Sequence, residues 1–358
     1  MRIFIFEFTT GGGLLAADSA APRPATIVDD AAHTDLSSLA AEGGAMVAAV
    51  AADFAALADT QVRILHDGRS ALCPPPGVEV RKIYDHEKYR AAFDEEAARA
   101  DQTIVIAPEC DGILLALVER VLAVGGRLLG PSPDIVRLAS DKHETAEHLL
   151  IAGVPAPLGA LLQETELLTD GTRMPPEVAF PLVLKPCDGA GSSGVRRLDQ
   201  PAAIDISTLA GRWRLERFCP GLAASVALLC GPAGYVALPP CAQSLSDDGR
   251  FRYRGGRLPL DPAFAERAVN LAHLAAATLD SPLGYLGIDI VLGADAAGRD
   301  DVVIEINPRL TTSYVGLRAA TPDILAAAML DVAAGRAPAL SFTERRIEFA
   351  CDGSVKIC

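Results

Sequence analysis

The sequence lacks the patterns that mark several large classes of protein. Its eight cysteines, at 73, 110, 187, 219, 230, 241, 351 and 358, form no Cys-x-x-Cys pair, which excludes a zinc ribbon or a dense disulfide scaffold and reads as reduced cytosolic thiols. No Gly-Lys dipeptide occurs, so there is no P-loop. No apolar run reaches the roughly 18 residues that a membrane-spanning helix needs, and even the alanine-rich stretch 45–58 is broken by Asp53. Glu7 sits where a signal peptide would need an apolar core, so a soluble, cytoplasmic chain is expected. Basic residues are scarce: 32 Lys and Arg stand against 46 Asp and Glu, a formal net charge of −14. Phosphate backbones and anionic membrane surfaces repel such a field. Neither nucleic acid nor membrane is expected as a partner, while small anionic molecules remain possible wherever a few cations share one cleft.

What is present is a chain of 358 residues, 50% hydrophobic and 22% charged, long enough for two or three domains. An apolar run from Ile3 to Phe8 ends in Thr9-Thr10-Gly11-Gly12-Gly13, a strand entering a glycine turn. Helix signals over 44–58, 87–99 and 112–124 alternate with strand signals over 62–65, 103–106 and 127–129. This order predicts parallel βαβ units. Two short helices are expected near Asp134 and Asp141. After Gly153-Val154-Pro155 the style changes to close-set β-type runs over 182–185, 195–198, 214–218, 225–230 and 235–238, which predict antiparallel pairing. A helix over 262–279, capped by Asp261 with Pro262 in its first turn, is followed by strands over 285–292 and 302–306.

Three segments carry chemistry. Gly189-Ala190-Gly191-Ser192-Ser193-Gly194 follows a strand and has the form G-x-G-x-x-G. What comes next is another strand rather than the helix that a dinucleotide fingerprint opens. The loop is therefore read as a hairpin flap able to cover polyphosphate, or as an ordinary turn, with Lys185 just upstream in reach of whatever it covers. Gly287-Ile288-Asp289-Ile290 and Val303-Ile304-Glu305-Ile306-Asn307-Pro308-Arg309 place Glu305 and Asn307 on one face of a strand and Asp289 on its neighbour. Acidic groups inside apolar strands are costly unless paired or metal-bound, and two carboxylates with an amide oxygen suit Mg²⁺. A salt-bridged pair of strand ends is the alternative. Arg309 beyond them could hold an anion. Arg214-Leu215-Glu216-Arg217-Phe218-Cys219-Pro220-Gly221 reads as a connector between lobes, with Glu216 placed to accept from an exocyclic amine and Phe218 offering a flat face. His143 and His148 lie about 140° apart around a helix and cannot share a metal on one face. Cys187, with no placed histidine, is read as incidental.

In this order the pieces resemble the ATP-grasp superfamily of carboxylate-amine ligases: Ser140-Asp141-Lys142 opening a helix, Gly153-Val154-Pro155, Lys185-Pro186 with the glycine flap, Glu216 to Gly221, Asp289, and Glu305-x-Asn307-Pro308-Arg309. The resemblance spans residues 130 to 330. It implies an α/β front part with a Rossmann-like domain over 1–135, an α+β ATP-grasp part with a small lid over 136–215 and an antiparallel-sheet subdomain over 216–336 that enclose ATP, and a tail over 337–358. It further implies that Lys142 and Lys185 contact ATP phosphates, with Gly189, Gly191, Ser192, Ser193 and Gly194 as the flap. Glu216, Phe218 and Cys219 would form the adenine hinge. Asp289, Glu305 and Asn307 would hold two Mg²⁺, replaceable by Mn²⁺, and Arg309 would steady an acyl phosphate. Many relatives carry a ribose-binding Glu after the hinge glycine, and Gly221-Leu222-Ala223-Ala224-Ser225 departs from that pattern.

A narrower set, Phe6 to Leu14, Ala107-Pro108-Glu109 and Gln243 through Gly256, is similar to the tyramine:glutamate ligases of methanofuran-type cofactor biosynthesis. That likeness implies transfer of a γ-glutamyl group to tyramine or an analogue. Gly11, Gly12 and Gly13 become a substrate-side loop, and Gln243 and Arg254 candidate carboxylate binders. A homodimer is a habit of the superfamily. The readings left beside it are another amino-acid or peptide ligase, such as one joining D-alanines, and an inactive ATP-binding regulator.

Overall fold

The structure, a computed structural model, describes residues 1–18, 36–70, 74–162, 180–200, 209 and 211–358; Cys73 lies outside them. The front of the chain forms a parallel sheet of β1 (Arg2–Glu7), β2 (Gln61–Asp67), β3 (Val78–Ile83) and β4 (Gln102–Ile106), in the order β3-β2-β1-β4. Alternation along β1 feeds two cores. Ile3 and Ile5 pack with Val50 and Phe54 of α1 (Leu36–Ala55), while Phe4 and Phe6 face Phe93 of α2 (His86–Arg99) and Val118 of α3 (Ile113–Ala123). The Phe6 and Phe93 rings meet edge to face with centroids 5.0 Å apart, a favoured aromatic geometry. β3 is an edge strand with no strand signal in the reading above. The strand expected at 127–129 is reduced to a single bridge between Thr103 and Leu128, because Gly125-Gly126 and Gly130-Pro131 cut the segment short.

Two helices lead out of this layer. In α4 (Pro133–Ser140) the Ser132 side chain accepts from the amide of Ile135 and proline occupies the first turn. In α5 (Lys142–Ile151) the Asp141 carboxylate accepts from the amides of His143 and Glu144, the capping that the Ser-Asp-Lys order predicts. A small antiparallel sheet follows, β5 (Gly159–Leu161), β6 (Leu182–Pro186), β7 (Arg196–Leu198) and β8 (Trp213–Arg217), in the order β5-β8-β6-β7. β6 and β7 pair antiparallel across the glycine loop, so that loop joins a hairpin, as its sequence predicts. This sheet has its own core of Leu162, Leu182, Leu184 and Leu215.

The large sheet contains β9 (Leu222–Gly231), β10 (Gly234–Ala237), β11 (Cys241–Leu245), β12 (Tyr253–Leu258), β13 (Gly284–Leu292), β14 (Val302–Asn307), β15 (Ile347–Ala350) and β16 (Val355–Ile357). Its order is β14-β13-β9-β11-β12-β15-β16, with β10 on β9. Residues 224, 226, 228 and 230 of β9 face α6 (Pro262–Ala276), whose Ala268, Leu271 and Ala275 form the buried stripe. Ala227 and Leu229 face the other way, into the core that also holds α7 (Ser313–Ala319), α8 (Leu325–Ala333) and the Ile3/Ile5 face of the front sheet. Tyr314 donates to Asp53 at 2.7 Å across that junction. The segment after 337 closes the far edge of the sheet as β15 and β16. Among the described residues no helix is long and apolar enough to cross a membrane, and no cysteine is in a disulfide.

Gly231 shows how tightly α8 lies on β9: a Cβ there would sit 1.9 Å from the Val332 carbonyl oxygen. Backbone cannot yield as a flexible side chain can. Gly231→Ala is expected to cost about 1–3 kcal/mol or more by overpacking, read as a lower urea midpoint with an unchanged slope.

Candidate functional site

The small and large sheets, with the start of α5, bring distant side chains to one cavity of about 240 Å³. Its walls include Lys142 at the start of α5, Lys185 near the end of β6, Glu216 on β8, Asp289 on β13, and Glu305 and Asn307 on β14. Phe218, Cys219, Gly189, Gly191, Ser192, Gln243 and Arg309 also line it. Most of the residues singled out in the sequence therefore converge.

Asp289 and Glu305 are direct cross-strand partners on β13 and β14, so two carboxylates face each other over a partly dehydrated floor. Burial, and then repulsion from Glu305, push the Asp289 carboxyl up to about 7, against hydrogen bonds from Ser225 and Gln243. Burial also acts to raise Glu305, but Lys142 and Lys185 outweigh it and hold this carboxyl below its ordinary value. Lys142 Nζ lies 3.3 Å from Glu305 Oε2 and donates to the Gly189 carbonyl at 2.5 Å. The Asn307 amide nitrogen donates to Asp289 at 3.3 Å. No group of three His, Cys, Asp or Glu among the described residues is arranged to hold a metal. The donor set here is two carboxylates plus the Asn307 amide, whose oxygen would replace its nitrogen on a half-turn of χ2. Opposed carboxylates, one of them held up to about 7 by burial and by the other's charge, form a site whose strain a hard divalent cation would relieve.

Lys185 is anchored rather than free. Its Nζ is 2.6 Å from Glu216 Oε1, and both side chains are almost wholly buried. Glu216 Oε2 accepts from Arg214 Nε at 2.9 Å. Arg214, fully buried, also donates to the Pro157 carbonyl at 2.8 Å and reaches His143 Nδ1 at 2.6 Å. Glu216, expected to meet an exocyclic amine, lines the cavity with its carboxylate already held by two cations. Arg214 carries a signal that the reading above did not use, an Arg-x-Glu spacing that sets both side chains on one face of β8.

Other expected residues are placed as follows. Phe218 stacks on Phe251 with centroids 6.0 Å apart and planes 18° apart, and the Arg197 guanidinium lies 4.4 Å from its ring. Ser192 donates to the Phe251 carbonyl at 2.9 Å, and Arg197 donates its amide to Gly249, so the flap is tied to the β11–β12 loop. Ser193 and Gly194 do not line this cavity. Arg309 is bound by Glu109, Nε to Oε1 at 2.7 Å and an Nη to Oε2 at 3.1 Å. Gln243 hydrogen-bonds the Asp289 carboxylate of the protein itself. Arg254 is exposed and off the cavity wall, because its neighbour Tyr253 takes the inward position on β12. Gly11, Gly12 and Gly13 form a tight turn, with the Gly11 amide on the Glu7 carbonyl and the Gly13 amide on the Phe8 carbonyl. They do not line the cavity above, nor a second, smaller one that the flanking Thr9 and Leu14 do line.

Residues 60–136 match the model of the pre ATP-grasp 3 domain and residues 139–313 that of the ATP-grasp domain. Among curated proteins, the chain is 25% identical to tyramine–L-glutamate ligase of Methanocaldococcus fervens over 221 residues, 62% of each chain. It is 36% identical over 86 residues to biotin carboxylase 1 of Populus trichocarpa, 24% of this chain and 16% of that protein. The chain thus spans less than two thirds of either relative. A solved ATP-grasp superfamily protein of Archaeoglobus fulgidus superposes with a TM-score of 0.67 at 23% identity, covering 98% of this chain and 92% of that one.

Two outcomes are expected. Arg214→Met removes one of the two cations on Glu216, leaving Lys185 as its partner, and takes the donor from the Pro157 carbonyl; it is expected to cost about 1–3 kcal/mol, measured by urea unfolding. For Asp289 the folded pKa, about 7, exceeds the unfolded value of roughly 3.9. The folded state therefore binds the extra proton, and stability falls as pH rises between about 4 and 7. Without divalent cations, Asp289→Asn is expected to raise the melting temperature at pH 8 and to leave it unchanged near pH 4. Thermal melts at the two pH values check this.

Proposed function

We propose that this chain, which belongs to the ATP-grasp superfamily, is an ATP-dependent carboxylate-amine ligase that forms an amide through an acyl phosphate. One observation supports the reading above the rest: Lys142 and Lys185, on separate elements, converge with Asp289, Glu305 and Asn307 on a single cavity, so cations and hard anionic ligands face one triphosphate-sized space. ADP and phosphate are the expected products. The finer reading, which the tyramine–L-glutamate ligase likeness supports, is transfer of a γ-glutamyl group to tyramine or an analogue.

The difficulty of the reaction is the crowding of negative charge where a substrate carboxylate oxygen attacks the γ-phosphorus. The bond to ADP breaks with its electron pair on ADP, and the γ-phosphoryl group is retained on the carboxylate. Lys142 and Lys185 offset that charge from two sides. Asp289, Glu305 and Asn307 would hold Mg²⁺, two ions on this reading and replaceable by Mn²⁺, which when bound neutralises phosphate oxygens. The amine, as its free base, then attacks the acyl carbon, the C–N bond forms, phosphate leaves with the C–O electron pair, and the proton lost from nitrogen goes to the departing phosphate. The flap over Lys142 keeps water from the acyl phosphate, and the segment 217–219 offers main chain and the Phe218 ring to a base. The small sheet acts as the lid, and both substrates are small molecules.

Purified protein with Mg-ATP, glutamate and tyramine is expected to release ADP above the ATP-only rate. ADP release no faster than that blank would rule out the glutamate and tyramine pairing. Glu305→Ala is expected to lower turnover by at least about a hundredfold with its circular dichroism spectrum unchanged, and wild-type turnover in that variant would overturn the assignment of the cation site.

A further inference from the structure

The second cavity, of about 90 Å³, meets the first at Glu42, Gly191 and Arg309, which line both. One wall is a single face of α1, with Leu39, Glu42, Gly43 and Met46 at helical spacing. The other walls are the end of β1 with Glu7, Thr9 and Leu14, the end of β4 at 106–108, and the flap. Gly43 sits where a Cβ would fall 2.4 Å from the Glu7 carboxylate, so a glycine lets the helix lie against that group.

The electrostatics of this cavity are one-sided. Glu7, 3% exposed, accepts four hydrogen bonds of 2.6–2.9 Å from the amides and hydroxyls of Thr9 and Thr10. Glu42 stands at the junction of the cavities and accepts from the Thr312 hydroxyl. The cation among the described lining residues is Arg309, already neutralised by the buried Glu109 through two contacts. Leu14, Leu39, Met46 and Ile106 supply the apolar surface. An anionic ligand would enter with no uncompensated cation to meet it, at a high desolvation cost. An ammonium group with an apolar body meets the opposite situation.

We propose that the second cavity is the acceptor site and takes a primary amine with an apolar body, its ammonium held by Glu42 at the boundary with the nucleotide cavity. This rests on the ligase reading above and adds to it where the amine sits, which residue selects it, and that phosphorylated or carboxylate acceptors are refused. The nitrogen held at Glu42 lies at the junction that Arg309 and Gly191 also line, where the acyl phosphate forms.

The test is binding, by calorimetry with and without Mg-ADP, of 2-phenylethylamine and n-pentylamine against 3-phenylpropionate and ribose 5-phosphate. The two amines are expected to bind the wild type, the two anions are not, and Glu42→Gln is expected to weaken amine binding at least tenfold. Leu39→Arg, which sets a cation in the same wall, is expected to lose the amines and gain 3-phenylpropionate. Amine binding equal in wild type and Glu42→Gln, or tighter binding of the anions by the wild type, would overturn the proposal. Mg-ADP binding without amine binding would also overturn it and leave the ligase reading standing. Amine binding lost in Glu42→Gln, in a protein that fails to bind Mg-ADP, would support the site and overturn the ligase reading instead.

Discussion

Buried charge is the constraint on which the rest of this structure depends. Lys185, Glu216 and Arg214 form a chain of contacts of 2.6 and 2.9 Å in which every side chain is shielded from water. Each member is tolerable only because the next is in place. Arg214 extends the chain through His143 to the helix that Lys142 opens, so the two lysines that face the cavity are fixed by one frame. The cavity's cations are held before any ligand arrives, which is what preorganised stabilisation of a multiply charged ligand requires.

The floor of the cavity shows the opposite condition. Asp289 and Glu305 stand opposite each other on adjacent strands of an otherwise apolar sheet, and their repulsion is only partly relieved by Lys142 and by the hydrogen bonds from Ser225 and Gln243. Strong satisfaction on one wall and residual strain on the other is a stability cost concentrated where a ligand could repay it.

Much of this was legible before the fold was known. Ile3 to Phe8, Leu182 to Lys185 and the β13–β14 pair announce themselves by apolar runs, and Glu7, Asp289 and Glu305, which interrupt them, are conspicuous because burial penalises them. The flap is recognisable as a hairpin because no helix signal follows it. Legibility failed where elements are short or glycine-bearing: β12 carries Gly255-Gly256, Gly255 has a φ of +128°, and a Cβ there would fall 2.0 Å from the Phe349 carbonyl oxygen. It failed more deeply for partnerships. Arg309 meets Glu109 across 200 positions and Thr312 meets Glu42 across 270, and no local pattern encodes such pairs. The Glu216 carboxylate was visible, but the neighbours that occupy it were not.

The way hydrophobic cores are shared has a consequence for motion. The front sheet and the large sheet bury one continuous set of side chains, from Ile3 and Phe54 to Tyr314 and Phe349. Among the described residues the small sheet rests on four leucines of its own and meets its surroundings at the cavity through discrete polar and stacking contacts such as Ser192 to Phe251 and Asp188 to the amide of Asp111. A rotation of the two larger layers against each other would expose apolar surface at every angle. Swinging the small sheet breaks a countable number of such contacts and leaves each core intact, so opening the cleft costs least on that side.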